Sequence, residues 1–225
     1  MLEVLGPDLH TATRPLRAGP LEIGARMVVA RLPSGGLLVH SPVALDAGLR
    51  REVERLGPVA HLVAPNRFHH LFLAGWKEAF PEARLHGAPG LATKRKDLPF
   101  DAVLEDGRPD PDWGGVFDLI HVRGIPVAEE VVLRHRPSRT LLLTDLAFHI
   151  TRPVNLPTRL YLAIGRCHGR LRATALLRAA VRDRRALRES LDRLLALDFG
   201  TITVAHGEVA RGGPERLREA FDWLR

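Results

Sequence analysis

Three apolar runs in this chain end in residues that can ligate a divalent metal. His61-Leu62-Val63 leads into Ala64-Pro65-Asn66-Arg67-Phe68-His69-His70, which sets two imidazoles side by side. Leu141-Leu142-Leu143-Thr144 ends in Asp145, and Ile202-Thr203-Val204-Ala205 ends in His206-Gly207. Imidazole nitrogen and carboxylate oxygen are donors that zinc takes, and a catalytic site leaves one coordination position open. His69, His70, Asp145 and His206 are therefore the candidate ligands. Each also has a plainer use. One histidine of an adjacent pair can pack inward while the other is solvated. An aspartate after a strand can cap backbone N–H groups, and His-Gly can be a turn. The four residues are singled out because all stand at predicted strand ends, and a metal needs several ligands to converge.

For those ends to meet, the strands must lie side by side. Leu21–Arg31 and Leu37–His40 read as two strands joined by the turn Pro33-Ser34-Gly35-Gly36, and Val43–Leu56 as a helix with Leu45, Leu49, Val53 and Leu56 on one face. Val59–Val63 is a third strand, followed by the His-His turn and a helix over Leu71–Phe80. Ala83–His86 is a short strand, Ala88–Arg95 one or two helical turns, and Asp97–Gly115 a Pro/Gly/Asp-rich excursion with a small strand at Ala102–Leu104. Val116–Val122, Glu130–His135 and Thr140–Thr144 follow closely enough to predict an antiparallel meander. Pro153 and Pro157 break any regular pattern in the first half of 148–170. Leu171–Leu197 is helical with a break near Asp183, Thr201–Ala205 is a last strand, and Pro214–Arg225 a last helix. This order is neither a parallel Rossmann sheet nor a pure sandwich; two sheets with helices outside satisfy it, in one domain spanning 1–225.

The 225 residues carry 45% hydrophobic and 26% charged side chains, enough for a sizeable core. No apolar run is long enough to span a membrane, and the N-terminus lacks the pattern of a secretory signal. The one cysteine, Cys167, excludes an internal disulfide framework. A cytoplasmic location is the expectation. The net charge of +7 comes almost wholly from arginine, with Lys77, Lys94 and Lys96 the only lysines. Arginines from Arg166 to Arg193 read first as the solvated face of an amphipathic helix and second as a nucleic-acid or anionic-surface patch. Few aromatics interleave them, which weakens single-strand stacking.

Taken together, the three stretches resemble the metallo-β-lactamase-fold superfamily, whose pattern is a His-x-His-x-Asp-His loop, a third histidine on a later strand, an apolar strand ending in Gly-Asp, and a C-terminal strand ending in Gly-His-Gly. Leu141–Phe148 is similar to the Gly-Asp element with Thr144 for Gly, and Val204-Ala205-His206-Gly207 to the Gly-His-Gly element with Ala205 for the first Gly. The wording of 61–70 and 137–148 resembles a divergent branch of bacteria and plants known mainly as a domain of unknown function. The resemblance implies an α+β fold, an αββα sandwich of two mixed β-sheets packed face to face with helices on the outer faces.

The departures shape the functional expectation. Pro65 and Arg67 fall where the superfamily has its first two histidines. The third belongs near Arg123-Gly124-Ile125-Pro126, and the nearest histidine, His121, precedes that point. The first metal site is thus dismantled. The resemblance leaves His69, His70, Asp145 and His206 at the second-metal position, with His69 for the usual aspartate. It implies a hydrolase with one divalent metal, zinc first and iron or manganese next, with Asp145 and Arg67 as the catalytic residues. Arg67 would set a fixed cation in the vacated site and hold an anionic small molecule. Glu129 or Glu130 enters the site while the other faces solvent, by strand alternation. Two alternatives stand beside this one: a metal-free scaffold that binds an anionic small molecule or a protein partner at the same cleft, and, more weakly, a nucleic-acid-associated protein.

Overall fold

The computed structural model describes residues 1–153 and 155–224. The chain opens with a hairpin, β1 (Glu3–Gly6) and β2 (Leu9–Arg14), where no strand is predicted. β1 is largely exposed, and β2 is buried through Leu9, Thr11 and Ala12, so neither carries a clear apolar period. The predicted strand 21–31 is split by Gly24, whose φ of +65° suits glycine. β3 (Arg17–Ala18) and β4 (Leu21–Glu22) form a small ribbon, and β5 (Ala25–Arg31) joins the main sheet. β6 (Leu37–His40) pairs antiparallel with β5, as its turn predicts. Helix α1 (Ala47–Leu56) starts four residues later than expected, because Asp46 caps it by accepting the Leu49 N–H at 2.8 Å.

β7 (Val59–Ala64), β8 (Arg84–Gly87) and β9 (Ala102–Val103) continue the sheet in parallel from β6, giving the order β1-β2-β5-β6-β7-β8-β9. Helices α2 (Leu73–Ala79) and α3 (Leu91–Lys94) lie in the connections. The second sheet begins with the predicted meander: β10 (Phe117–His121), β11 (Val131–His135) and β12 (Thr140–Leu142) pair antiparallel. β13 (Thr201–Thr203) lies parallel beside β12, and β14 (Ala210–Arg211) closes the edge.

Side-chain alternation builds the layers. On β7, Leu62 and Ala64 face α1 and α2 with Leu49, Val53, Leu73 and Trp76, while Val63 faces the other sheet. On β10, Leu119 faces Val63 and Leu38 between the sheets, and Ile120 faces Leu187, Leu191 and Leu194 outside. The result is helices, sheet, sheet, helices, the αββα sandwich that the resemblance implies.

The segment after β12 departs most from expectation. Pro157 does not break structure; it sits in the first turn of α4 (Leu156–Ile164), where its missing N–H costs nothing. Asn155 caps this helix through the Thr158 N–H at 3.0 Å. The predicted break near Asp183 separates α5 (Ala175–Ala180) from α6 (Arg184–Leu195), which Asp183 caps. The last helix, α7 (Pro214–Ala220), passes into a 3₁₀ turn over Asp222–Leu224; the predicted end, Arg225, lies outside the described residues.

Candidate metal centre

The parallel pairs β6–β7 and β12–β13 end on one rim of the sandwich, the usual place for ligands in open sheets with parallel strands. Backbone bonds from Val131 N to Pro65 O and from Arg67 N to Ala128 O, both 2.8 Å, tie the loop after β7 to the second sheet. Asn66 then turns the chain: its side-chain oxygen accepts the N–H groups of Phe68 and His69 at 2.8 and 2.9 Å. Its amide nitrogen donates to Thr144 Oγ1 at 2.9 Å and to Asp145 Oδ2 at 2.8 Å. One fully buried side chain therefore fixes both the loop that carries His69 and the residue that carries the carboxylate.

His69, Asp145 and His206 converge, with one ligand atom from each lying within 4.8 Å of the others. His69 Nε2 is 3.2 Å from Asp145 Oδ2, and His206 Nε2 is 3.3 Å from Asp145 Oδ1. The far side of each ring is held. His69 Nδ1 is 2.6 Å from Ser41 Oγ, at the end of β6, and His206 Nδ1 is 2.6 Å from the carbonyl of Gly24. The carbonyl can only accept, so His206 carries a proton on Nδ1, and its Nε2 is the nitrogen that faces Asp145. Histidines that bind metals are oriented this way, with the second nitrogen engaged by an outer partner. The donor set of two imidazoles and one carboxylate fits a divalent metal.

Electrostatics bind the three residues to one another. Burial works against charge on His69 and on Asp145. For Asp145 the His69 charge and the hydrogen bonds from both histidines prevail and hold the carboxyl well below its ordinary range. For His69 the charge and hydrogen bond of Asp145 outweigh burial and hold the imidazole above its ordinary value.

The four predicted ligands are not all brought together. His70 follows the Asn66 turn by one residue too many and stands apart: its Nδ1 accepts from Arg95 at 2.8 Å, as does its carbonyl at 3.0 Å. Burial and the charges of Lys94 and Arg95 push its pKa down. Arg67 lies against the loop 123–126, donating to Pro126 O at 3.2 Å, and the side chain at Ile125 is apolar and buried. The two glutamates lie just before β11, not within it, and Glu129 has a φ of +49°, so the turn and not strand alternation sends them to different sides. Glu129 lies 2.8 Å from His121, outside the cluster. Glu130 is buried and enters as neither ligand nor base, for its oxygens accept the N–H groups of Thr144, Asp145 and Leu146 at 2.7, 2.9 and 3.0 Å. Burial and the nearby Asp145 charge raise its pKa against those bonds. His149 supports the last loop, its N–H donating to His206 O at 3.0 Å.

Sequence reasoning misses Ser41, Asn66 and Gly24 as supports of the site. Asn66 has a signal, an asparagine two and three residues before N–H groups at a tight turn. Ser41 and Gly24 have none, for their partners lie 28 and 182 residues away.

Among the described residues a second group, His61, His86 and Asp110, also brings donors close. His61 Nδ1 meets Nε2 of His86 at 3.0 Å, Asp110 stands 4.0 Å from the opposite nitrogen, and Arg84 holds Asp110 at 3.0 Å. The guanidinium on that carboxylate opposes a cation there.

The family profile described as "Domain of unknown function (DUF4336)" matches residues 17–163. No curated protein matches the chain. In structure the chain is similar to a metallo-β-lactamase from Pontibacter korlensis, at 10% identity and a TM-score of 0.69, covering 100% of this chain and 98% of that one. A metallo-β-lactamase from Hirschia baltica gives 12% identity and 0.65, covering 100% and 97%. The metal-soaked Flv1 flavodiiron core from Synechocystis gives 14% identity and 0.72, covering 100% of this chain and 60% of that one. Identities this low speak for the fold alone, while the profile covers well over half of the chain, including the Asn66 turn and Asp145: the chain belongs to the DUF4336 family, a divergent domain of unknown function on the metallo-β-lactamase fold.

Proposed function

We propose that the protein is a hydrolase that uses one divalent metal, zinc first, held by His69, Asp145 and His206. The observation that carries this is the shared aim of two imidazole Nε2 atoms at one carboxylate, with both Nδ1 atoms held from behind. A bound divalent ion supplies a Lewis acid and a water whose pKa falls to about 7. The residues of the chain do the rest. Ser41 and Gly24 orient the imidazoles, and Asn66 keeps the Asp145 carboxylate turned to the cluster. Asp145 is held so far below its ordinary pKa that it is a poor proton acceptor at neutral pH; its work is ligation. Phe148 packs on His206 at 4.6 Å between ring centroids and keeps water from that side. Arg67 supplies positive charge beside Pro126, on the flank of the site.

The metal-free scaffold is the second reading. It is favoured by the closed pairing of Asp145 with His69 and His206, which satisfies the carboxylate without an ion. Nucleic acid finds less support, because several arginines of 166–193 are engaged within the chain: Arg172 with Asp222, Arg185 with Glu189, Arg193 with Asp106.

Elemental analysis of untagged protein separates the readings, run beside His69→Ala, His206→Ala and His70→Ala. The expected result is about one metal per chain, lost in the first two variants and kept in the third. No metal in the parent protein, even after reconstitution with zinc, overturns the hydrolase and leaves the scaffold.

A further inference from the structure

A cavity of about 290 Å³ opens directly beside Asp145. Its volume is at the small end of ligand pockets, roughly 300–1,000 Å³. Phe68 and Val127 wall it from the loops of the two sheets, and Phe148 and Leu177 form its buried side. Apart from Asp145, its polar lining is Tyr161 and Thr174, and Thr174 Oγ1 accepts the Leu177 N–H at 3.2 Å. A larger cavity of about 530 Å³ sits by Leu16 and Gly24, but none of the three ligands lines it.

The mouth is apolar and open. Phe68 is 42% exposed, Val127 47% and Leu176, on α5, 68%. Large apolar side chains grouped around a concave opening mark a binding surface. Two cations flank them. Lys94 Nζ stands 5.6 Å from the Phe68 ring centre and donates to Arg67 O at 2.7 Å. Arg67 reaches the carbonyl of Pro126, next to Val127. Among the described residues neither cation has a carboxylate within ion-pair distance, whereas neighbouring Arg95 is paired with Asp97.

We infer that this cavity takes the apolar body of an amphipathic anion: an alkyl or aryl group inside, an anionic head at Lys94 and Arg67. The assignment of this ligand as substrate rests on the hydrolase reading; its binding does not. The mostly apolar walls disfavour a sugar or a polyanion in the interior, because most of its hydroxyls or charges would lose water with only Asp145, Tyr161 and Thr174 to replace it. The two unpaired cations at the mouth reject an ammonium head and favour a carboxylate or phosphate. Phe148 touches both cavity and His206, so an occupant places its adjoining bonds beside the cluster.

The test is a fluorescence titration of the full chain with 8-anilinonaphthalene-1-sulfonate, an aromatic body with one sulfonate, followed by displacement with octanoate, octyl phosphate, octan-1-ol and octylammonium. One saturable site is expected, with octanoate or octyl phosphate displacing the dye at concentrations at least about tenfold below octan-1-ol, and octylammonium weakest. Lys94→Gln should bring the anion and the alcohol together. Ala180→Phe, which fills the partly buried wall of the cavity, should lose dye binding. Metal content is measured on the same samples. Unchanged metal with no saturable dye site, or displacement indifferent to head charge, overturns the inference while leaving the hydrolase standing. Dye binding of the expected selectivity in a protein that takes up no metal overturns the hydrolase and keeps the ligand class.

Discussion

Ser41 decides how His69 is presented. Its hydroxyl, 2.6 Å from Nδ1, is a partner no other described group duplicates, and it follows a strand end at a φ of +55°. If His69 ligates, Ser41→Ala lowers zinc affinity about tenfold, the lower end of what outer partners contribute; competition against a chromophoric chelator measures this. The same assay carries a pH signature. Asp145 holds the His69 pKa above its ordinary value, and a metal takes only the neutral ring. Affinity should therefore rise with pH and level off once the pH passes the raised His69 pKa. A flat profile across neutral pH removes His69 from the ligand set.

Elements position these residues through two features of the loops. The first is Glu130, the residue just before β11, which gathers three backbone N–H groups of the loop after β12. Glu130→Gln keeps the shape but turns an NH₂ toward donors, and the cost of such a buried mismatch is about 1–3 kcal/mol. A lower urea midpoint with an unchanged slope would show this, and weaker metal binding should accompany it because Asp145 is the middle residue of that loop. The second is Gly207, with φ +112°, where a Cβ would lie 2.1 Å from the His149 carbonyl. Gly207→Ala must push the β13 loop off His149, which donates to the His206 carbonyl, so its loss should appear in both stability and metal content. Retention of both would show that the last loop adapts freely.

On the scale of the whole molecule, the sandwich buries several imidazoles in neutral form. Burial lowers the pKa of His40 to about 3 and of His86 and His135 to about 4. The unfolded chain protonates these rings near 6.5 and the folded chain does not, so the unfolded state binds more protons below that pH. Through these rings stability should fall steadily from pH 6.5 toward about pH 4, while the contribution of His69, whose pKa is raised, fades as the pH rises above 6.5. Thermal midpoints along that range test it, and His135→Leu should flatten the slope. Cys167 adds nothing to this; it is buried beside Ile150 and Leu162, and burial raises its pKa, which suits a core thiol rather than a nucleophile.

Much of this was legible from residue order. Apolar period gave β5 to β7, the meander β10 to β12 and the helices on either side, because those elements bury one face and the burial writes itself into the spacing. The residue types able to ligate a metal at three strand ends, and the Pro65 and Arg67 that stand in the loop after the first of them, also needed no coordinates. The hairpin β1–β2 stayed hidden because Leu9 is the one large apolar side chain on β2, beside buried Thr11 and Ala12, and α4 because a proline in a first turn looks like a break. Only the tertiary structure decided which of two adjacent histidines turns to Asp145, since both share one local sequence and differ only in what the Asn66 turn presents to Arg95 or to the second sheet. It alone decided that Glu130 braces a loop, that Ser41 and Gly24 stand behind the imidazoles, and that the space beside Asp145 is apolar. Those are contacts between distant strands, and their physical cause is sheet register and packing, which no local window of residues contains.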